Sequence, residues 1–142
     1  MEALQLKQVK TLARQMGLPD GRGRHAAICM AHLVKMGDDQ VRQDALDTLL
    51  DVVKHGTSPE ARKWAAWALG GLAGSMDPHD LSYRVVPTLI SILHPVDLTR
   101  VDLRVAGQAY HSLLFIGTPD AVAAAERYKR KMIEVRRASS SG

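Results

Sequence analysis

Residues 58–74 read Ser-Pro-Glu-Ala-Arg-Lys-Trp-Ala-Ala-Trp-Ala-Leu-Gly-Gly-Leu-Ala-Gly, and this stretch decides the fold class. Ser58 suits an N-cap, Pro59 fits the first helical position where a missing N–H costs nothing, and Glu60 suits the positive end of a helix dipole. Ala61, Trp64, Ala65, Ala68, Leu69 and Leu72 then recur at helical spacing, so one face is apolar and built mostly of small residues. A helix with so little bulk on its buried side gains stability only where flanking helices approach closely. That places it in the middle of a stack.

Working outward, the same periodicity predicts six more helices. Upstream, Leu6, Val9, Leu12, Ala13 and Met16 share a face of a helix from about Leu4 to Met16, which ends at Gly17 and Pro19. Ala27, Ile28, Met30, Ala31, Val34 and Met36 mark a second helix ending at Gly37. A third, capped by Asp38 or Asp39, turns Val41, Ala45, Leu46, Leu49, Leu50, Val52 and Val53 inward. Downstream, a fifth helix runs from about His79 to Leu93 and carries Pro87 inside it. Proline there removes a hydrogen bond, so this helix is expected to kink or to begin properly only near Val85. After the turn His94-Pro95-Val96-Asp97, a sixth helix takes Leu98 to Ile116. Thr118 then caps a seventh, which continues to about Arg137.

The 142 residues imply one domain over 1–137, with the small polar segment 138–142 as a disordered tail. Aromatic residues make up 4% while alanine, leucine and valine abound, which favours helix-on-helix packing over a sheet. A single cysteine, Cys29, excludes an internal disulfide framework and reads as a small buried hydrophobe. With no leader-like N-terminus and no apolar run of transmembrane length, the expectation is a cytoplasmic protein that does not enter membranes.

The net charge of +4 is local. Up to residue 125 the 13 Lys and Arg are balanced by 13 Asp and Glu, and the excess comes from 126–137, where six cations face two carboxylates. Such a segment reads either as a solvated helix end or as a contact for phosphates or an acidic partner.

Self-similarity organises the helices into pairs. A shift of 42 residues lays Ala61, Arg62, Ala65 and Leu72 on Leu103, Arg104, Gly107 and Leu114, and a backward shift of 38 brings Arg62, Ala65 and Leu72 onto Arg24, Ala27 and Val34. The third and fifth helices match at 40, through Ala45, Leu49 and Val53 against Val85, Leu89 and Leu93. Three helix pairs of about 40 residues each follow.

The segment Leu49-Leu50-Asp51-Val52-Val53, the turn Thr57-Ser58-Pro59 and the following Glu60-Ala61-Arg62 with Ala65, Ala68 and Leu69 resemble the HEAT-repeat family, in particular its short bacterial and archaeal forms. Val86-Pro87-Thr88-Leu89-Ile90 is similar to the outer helix of that family. The resemblance covers Asp38 to Gly117. It implies an all-α, right-handed α-solenoid of three helix pairs and a C-terminal capping helix, with the second, fourth and sixth helices lining an inner surface. It also implies that Arg62 and its counterparts Arg24 and Arg104 serve structure, bonding neighbouring turns. No single ligand follows from it.

Trp67 lies on the border of the buried stripe of the fourth helix, beside Lys63 and Gly70. It has two readings, a contact anchor and a side chain packed under the neighbouring helix. On the sixth helix Arg104, Gln108 and His111 fall at i, i+4 and i+7, in register with Arg62 and Ala66. If this stripe faces solvent, it forms a shallow groove with Lys63 and Trp67. No two histidines stand at i, i+4, no Cys-x-x-Cys occurs, and Gly21-Arg22-Gly23-Arg24 lacks the spacing of a nucleotide-binding loop. Asp44, Asp47 and Asp51 share one face of the third helix and read as solvated. Residues 4–24 also look a little like a SAP helix-turn-helix, without its lysine-rich second helix.

No catalytic residues, metal ligands or cofactors are therefore expected. The leading expectation is a non-enzymatic protein-binding or scaffold module whose inner groove, with Lys63, Trp67, Arg104, Gln108 and His111, receives a peptide or helix. The alternative is DNA or RNA binding through Arg127, Lys129, Arg130 and Lys131 with the inner-surface arginines. Self-association through the end faces of the stack stays open.

Overall fold

The computed structural model of the protein describes residues 2–19, 21–56, 58–93 and 100–141. Among these the regular elements are helices: α1 (Glu2–Gln15), α2 (Arg22–Met36), α3 (Asp39–His55), α4 (Pro59–Gly71), α5 (78–91), α6 (Arg100–Ile116) and α7 (Pro119–Ser141), with one 3-10 turn at Ala73–Ser75. The side chains of Leu4 and Leu6, and the whole turn from His94 to Asp97, lie outside the described residues.

The helix starts follow local chemistry. Ser58 Oγ accepts the Ala61 amide at 3.3 Å, and Asp77 Oδ1 accepts the His79 amide at 2.8 Å. Two expected caps differ. The Asp38 side chain makes no cap bond to α3. Thr118 Oγ1 donates to Asp120 Oδ1 at 2.6 Å, and Asp120 accepts the Ala121 amide at 3.0 Å, so the acid in the first turn does the capping. At the other end of α6, Gly117 adopts φ of 75°, the left-handed closure that glycine makes without strain.

Pro87 shapes α5 as its chemistry requires. A short α-turn at Pro78–Asp80 passes into a π-helical turn at Leu81–Val85, where the Val86 amide reaches back to the Leu81 carbonyl. A regular segment, Val86–Ser91, then starts afresh with Pro87 in its first turn. The wide turn interrupts the regular i to i−4 pattern just before the ring, so Pro87 stands in a first turn, where its missing N–H costs least.

The elements pack in two layers. α1, α3, α5 and α7 adjoin in that order on one side and α2, α4 and α6 on the other, while α1–α2, α3–α4 and α5–α6 pack as pairs. α4 makes its most extensive contact with α6 and also touches α1, α2 and α3. Between the layers lie Val41, Ala45, Leu49 and Val53 of α3, Ala65, Ala66, Leu69 and Leu72 in and after α4, Val85, Val86 and Leu89 of α5, and Ala106, Ala109 and Leu113 of α6, all buried. Polar groups at the helix ends are tied in the same way twice. Arg42 Nε donates to the Val34 carbonyl and Arg62 Nε to the Val53 carbonyl, each at 3.0 Å, so an early-turn arginine closes the end of the preceding helix.

Several side chains expected inside lie elsewhere or are only half-buried, Ala13, Ala31, Val52 and Trp64 among the latter. α2 buries Ala26, Ala27, Met30, Leu33 and Val34, and this stripe turns Ile28 and Met36 outward. Cys29 is half-buried, its Sγ 3.6 Å from His25 Nε2. At the C-terminus α7 runs on to Ser141, so residues 138–141, expected as a tail, are helical. Nothing between Asp120 and Ser141 is glycine or proline, which leaves no local reason to stop.

Candidate functional site

Two glycines let α4 seat against its neighbours. A Cβ on Gly70 would lie 2.7 Å from Ser112 Cβ, and Ser112 Oγ donates to the Ala66 carbonyl at 2.8 Å. α4 and α6 thus meet backbone to backbone. On the other side, Gly23 of α2 lies against the Trp64 ring, where a Cβ would come within 2.8 Å of Cδ1. Where Ala31, Ala68, Gly70 and Gly71 come to the surface above these seams they leave a shallow floor, and only side chains off the buried stripes rise from it.

Those side chains enclose a groove of about 530 Å³. Its floor is Ala31, Ala68, Gly70 and Gly71, its apolar walls are Ile28, Trp67 and Phe115, and its polar rim is His32, Lys35 and His111. All of them come from the middle and the C-terminal halves of α2, α4 and α6. Phe115 is 74% exposed and Ile28 46%, so a pair of large apolar side chains borders the opening uncovered. Trp67 is half-buried and meets Trp64 edge to face, with centroids 5.5 Å apart and planes at 86°. This contact fixes the indole while leaving part of it on the wall.

Of the groove residues read from the sequence, Trp67 and His111 stand in it. Lys63 does not line it: its Nζ lies 3.5 Å from Glu60 and 4.7 Å from the Trp64 ring centre. Gln108 turns to Ser112, with Nε2 3.4 Å from Oγ. Arg104 is exposed nearer the start of α6, outside the lining. Ala66, grouped with that polar stripe, is fully buried against Ser112. Arg62 is held by the Val53 carbonyl and is not part of the lining.

The α2 wall and Phe115 are the part that sequence reasoning missed. A signal existed for Phe115, the chain's one phenylalanine: it falls off the stripe formed by Val105, Ala106, Ala109, Ser112 and Leu113. For Ile28, His32 and Lys35 the signal was partner-dependent, since their common face becomes a wall only once α2 lies beside α4.

The basic segment is on α7. Arg127, Lys129, Arg130 and Lys131 are all exposed, while Ala121, Ala124, Ala125 and Tyr128 bury the opposite side. Burial pushes the Tyr128 phenol above its ordinary value, and the nearby Arg136 charge pulls partly against it. A second, polar depression of about 430 Å³ lies between α3 and α5. There Arg84 pairs with Asp47 and donates to Gln43 Oε1 at 3.2 Å, so the aspartate face of α3 is partly neutralised.

Among the described residues no group of three His, Cys, Asp or Glu side chains could hold a metal ion, and no helix is long and apolar enough to cross a membrane. Comparison with protein-family models, with curated proteins and with solved structures finds no match for the chain.

Proposed function

We propose that the chain is a non-enzymatic docking module of the HEAT-like type, a short right-handed solenoid of helix pairs whose α2–α4–α6 layer receives a segment of another protein. The observation that carries this reading is the groove itself, with a glycine and alanine floor, exposed Phe115 and Ile28 at its mouth and the Trp67 indole held in its wall. Anchors of this kind suit apolar side chains presented by a peptide, with the polar rim giving orientation. The alternation of pairs between two layers supports the solenoid part of the reading.

A display of tiled natural peptides, sorted on the wild-type chain and on Gly71→Leu, tests it. A Cβ at Gly71 meets nothing within 4 Å, so leucine fills the groove without disturbing the core. Peptides held by the wild type and lost by the variant are the expected result. Equal capture by both rejects the groove.

A second reading, nucleic-acid binding, rests on the exposed cations Arg127, Lys129, Arg130 and Lys131 of α7 and not on the inner arginines. It requires affinity to fall steeply with salt, about 0.9 log units per phosphate contact for each tenfold increase. The double variant Arg127→Glu, Lys131→Glu would then abolish a low-salt gel shift, and an absent shift in the wild type removes this reading.

A further inference from the structure

The charge of the helices around the groove is one-sided. α2 contains no Asp or Glu, and α4 and α6 contain one each, Glu60 and Asp102, both near their N-terminal ends. Glu60 and Lys63 pair with one another. Against the remaining acid stand Lys35 on the rim and Arg24 and Arg104 in the N-terminal halves of α2 and α6. The carbonyl ends of the helices oppose this with about half a charge apiece, but their influence fades within one turn. An anionic partner is therefore favoured along the layer, and most strongly toward the helix N-termini.

Two open glycines add a shape condition. Gly71 on the floor, and Gly107 on α6 beyond the lining, each leave open space where a Cβ would sit, and neither adopts a positive φ, so neither packing nor backbone geometry demands glycine there. In the interior of α6, where Gly107 lies, glycine costs about 1 kcal/mol against alanine. Gly107, His111 and Phe115 follow one another at i, i+4 and i+8 along α6, and Lys63, Trp67 and Gly71 do the same along α4. Two ridges with glycine breaks leave a trough into which the rounded surface of a helix, about 10 Å across, can settle.

Resting on the docking reading above, we infer that the occupant is an acidic amphipathic helix of a partner protein. Its apolar side chains at i, i+3 or i+4 and i+7 enter between Trp67, Ile28 and Phe115, and its carboxylates lie toward Lys35, Arg24 and Arg104. The apolar contacts supply affinity and the charges set direction and exclude basic helices.

The test uses two displayed libraries of 18-residue peptides sorted on the full chain. One fixes apolar anchors at helical spacing and randomises the rest among Asp, Glu, Lys, Arg, Ser and Gln; the other places proline at every third position, which enforces an extended chain. Survivors are expected from the helical library, with the ratio of acidic to basic residues raised severalfold over the input. Their affinity should fall about tenfold or more with Phe115→Ser, and sorting on Lys35→Glu should move the selected charge back toward basic. Survivors that are basic, or that come from the proline library and still depend on Phe115, overturn the acidic helix while leaving the groove as a docking site. Failure to obtain any survivor sensitive to Phe115→Ser overturns both.

Discussion

At Gly70 a single missing methyl group sets the distance between two helices. The Cβ of Gly70→Ala would meet Ser112 at 2.7 Å, on a buried seam with no flexible neighbour to yield, so the substitution is expected to cost about 1–3 kcal/mol by overpacking. Gly107→Ala faces open space and should stabilise by about 0.5–1 kcal/mol through helix propensity alone. Urea titrations of the two variants should therefore move in opposite directions, and Ser112→Gly should couple favourably to Gly70→Ala while leaving the Gly107→Ala gain unchanged. Tyr128 makes a different residue-scale statement. Its folded value lies above the unfolded 10.0, so the fold favours the neutral phenol. That contribution is complete below about pH 10 and is lost as pH climbs through the raised folded value. Denaturant midpoints measured from pH 8 to 11 should fall less steeply for Tyr128→Phe than for the wild type.

For single elements, apolar period and punctuation made most of the helices legible, because Ser58-Pro59, Gly37, Gly56 and Gly117 mark boundaries by mechanisms local to a few residues. The break in α5 was legible for the same reason, Pro87 being a local fault; its resolution as a π-helical turn was not, since a proline can equally be met by a kink or by a fresh helix start. The arginine braces show where local reasoning stops. Arg62 could be read as structural, yet its acceptor, the Val53 carbonyl, and the matching role of Arg42 at Val34 emerge only when consecutive helices are set side by side. Arg62→Met keeps most of the stem and deletes the donor, and should lower stability by about 1 kcal/mol, less than a fully buried charged bond would give because the residue is half-buried. Thermal melts of Arg62→Met, Arg42→Met and the double variant should show near-additive losses, as the two braces close different helix ends.

On the scale of the whole molecule, apolar burial on α7 ends near Met132, while the helix continues for about another 14 Å to Ser141. Truncation after Ala138 should therefore shift stability by no more than about 0.5 kcal/mol, measured by chemical denaturation. The candidate site was half legible at this scale. Trp67 and His111 could be named because each lies just off a buried stripe of its own helix, whereas Ile28, His32 and Lys35 acquire meaning from the lateral order of three helices, which no spacing within one helix encodes.

The glycine and alanine floor between α2, α4 and α6 has no rotamers to freeze. Whatever alights on it meets a backbone template already set, so the disorder surrendered on association belongs to the guest and to the few bordering side chains, Ile28, Lys35 and Phe115, and not to the floor. Hydrocarbon stapling of a guest helix would therefore tighten the complex, whereas further stiffening of the host would change it little.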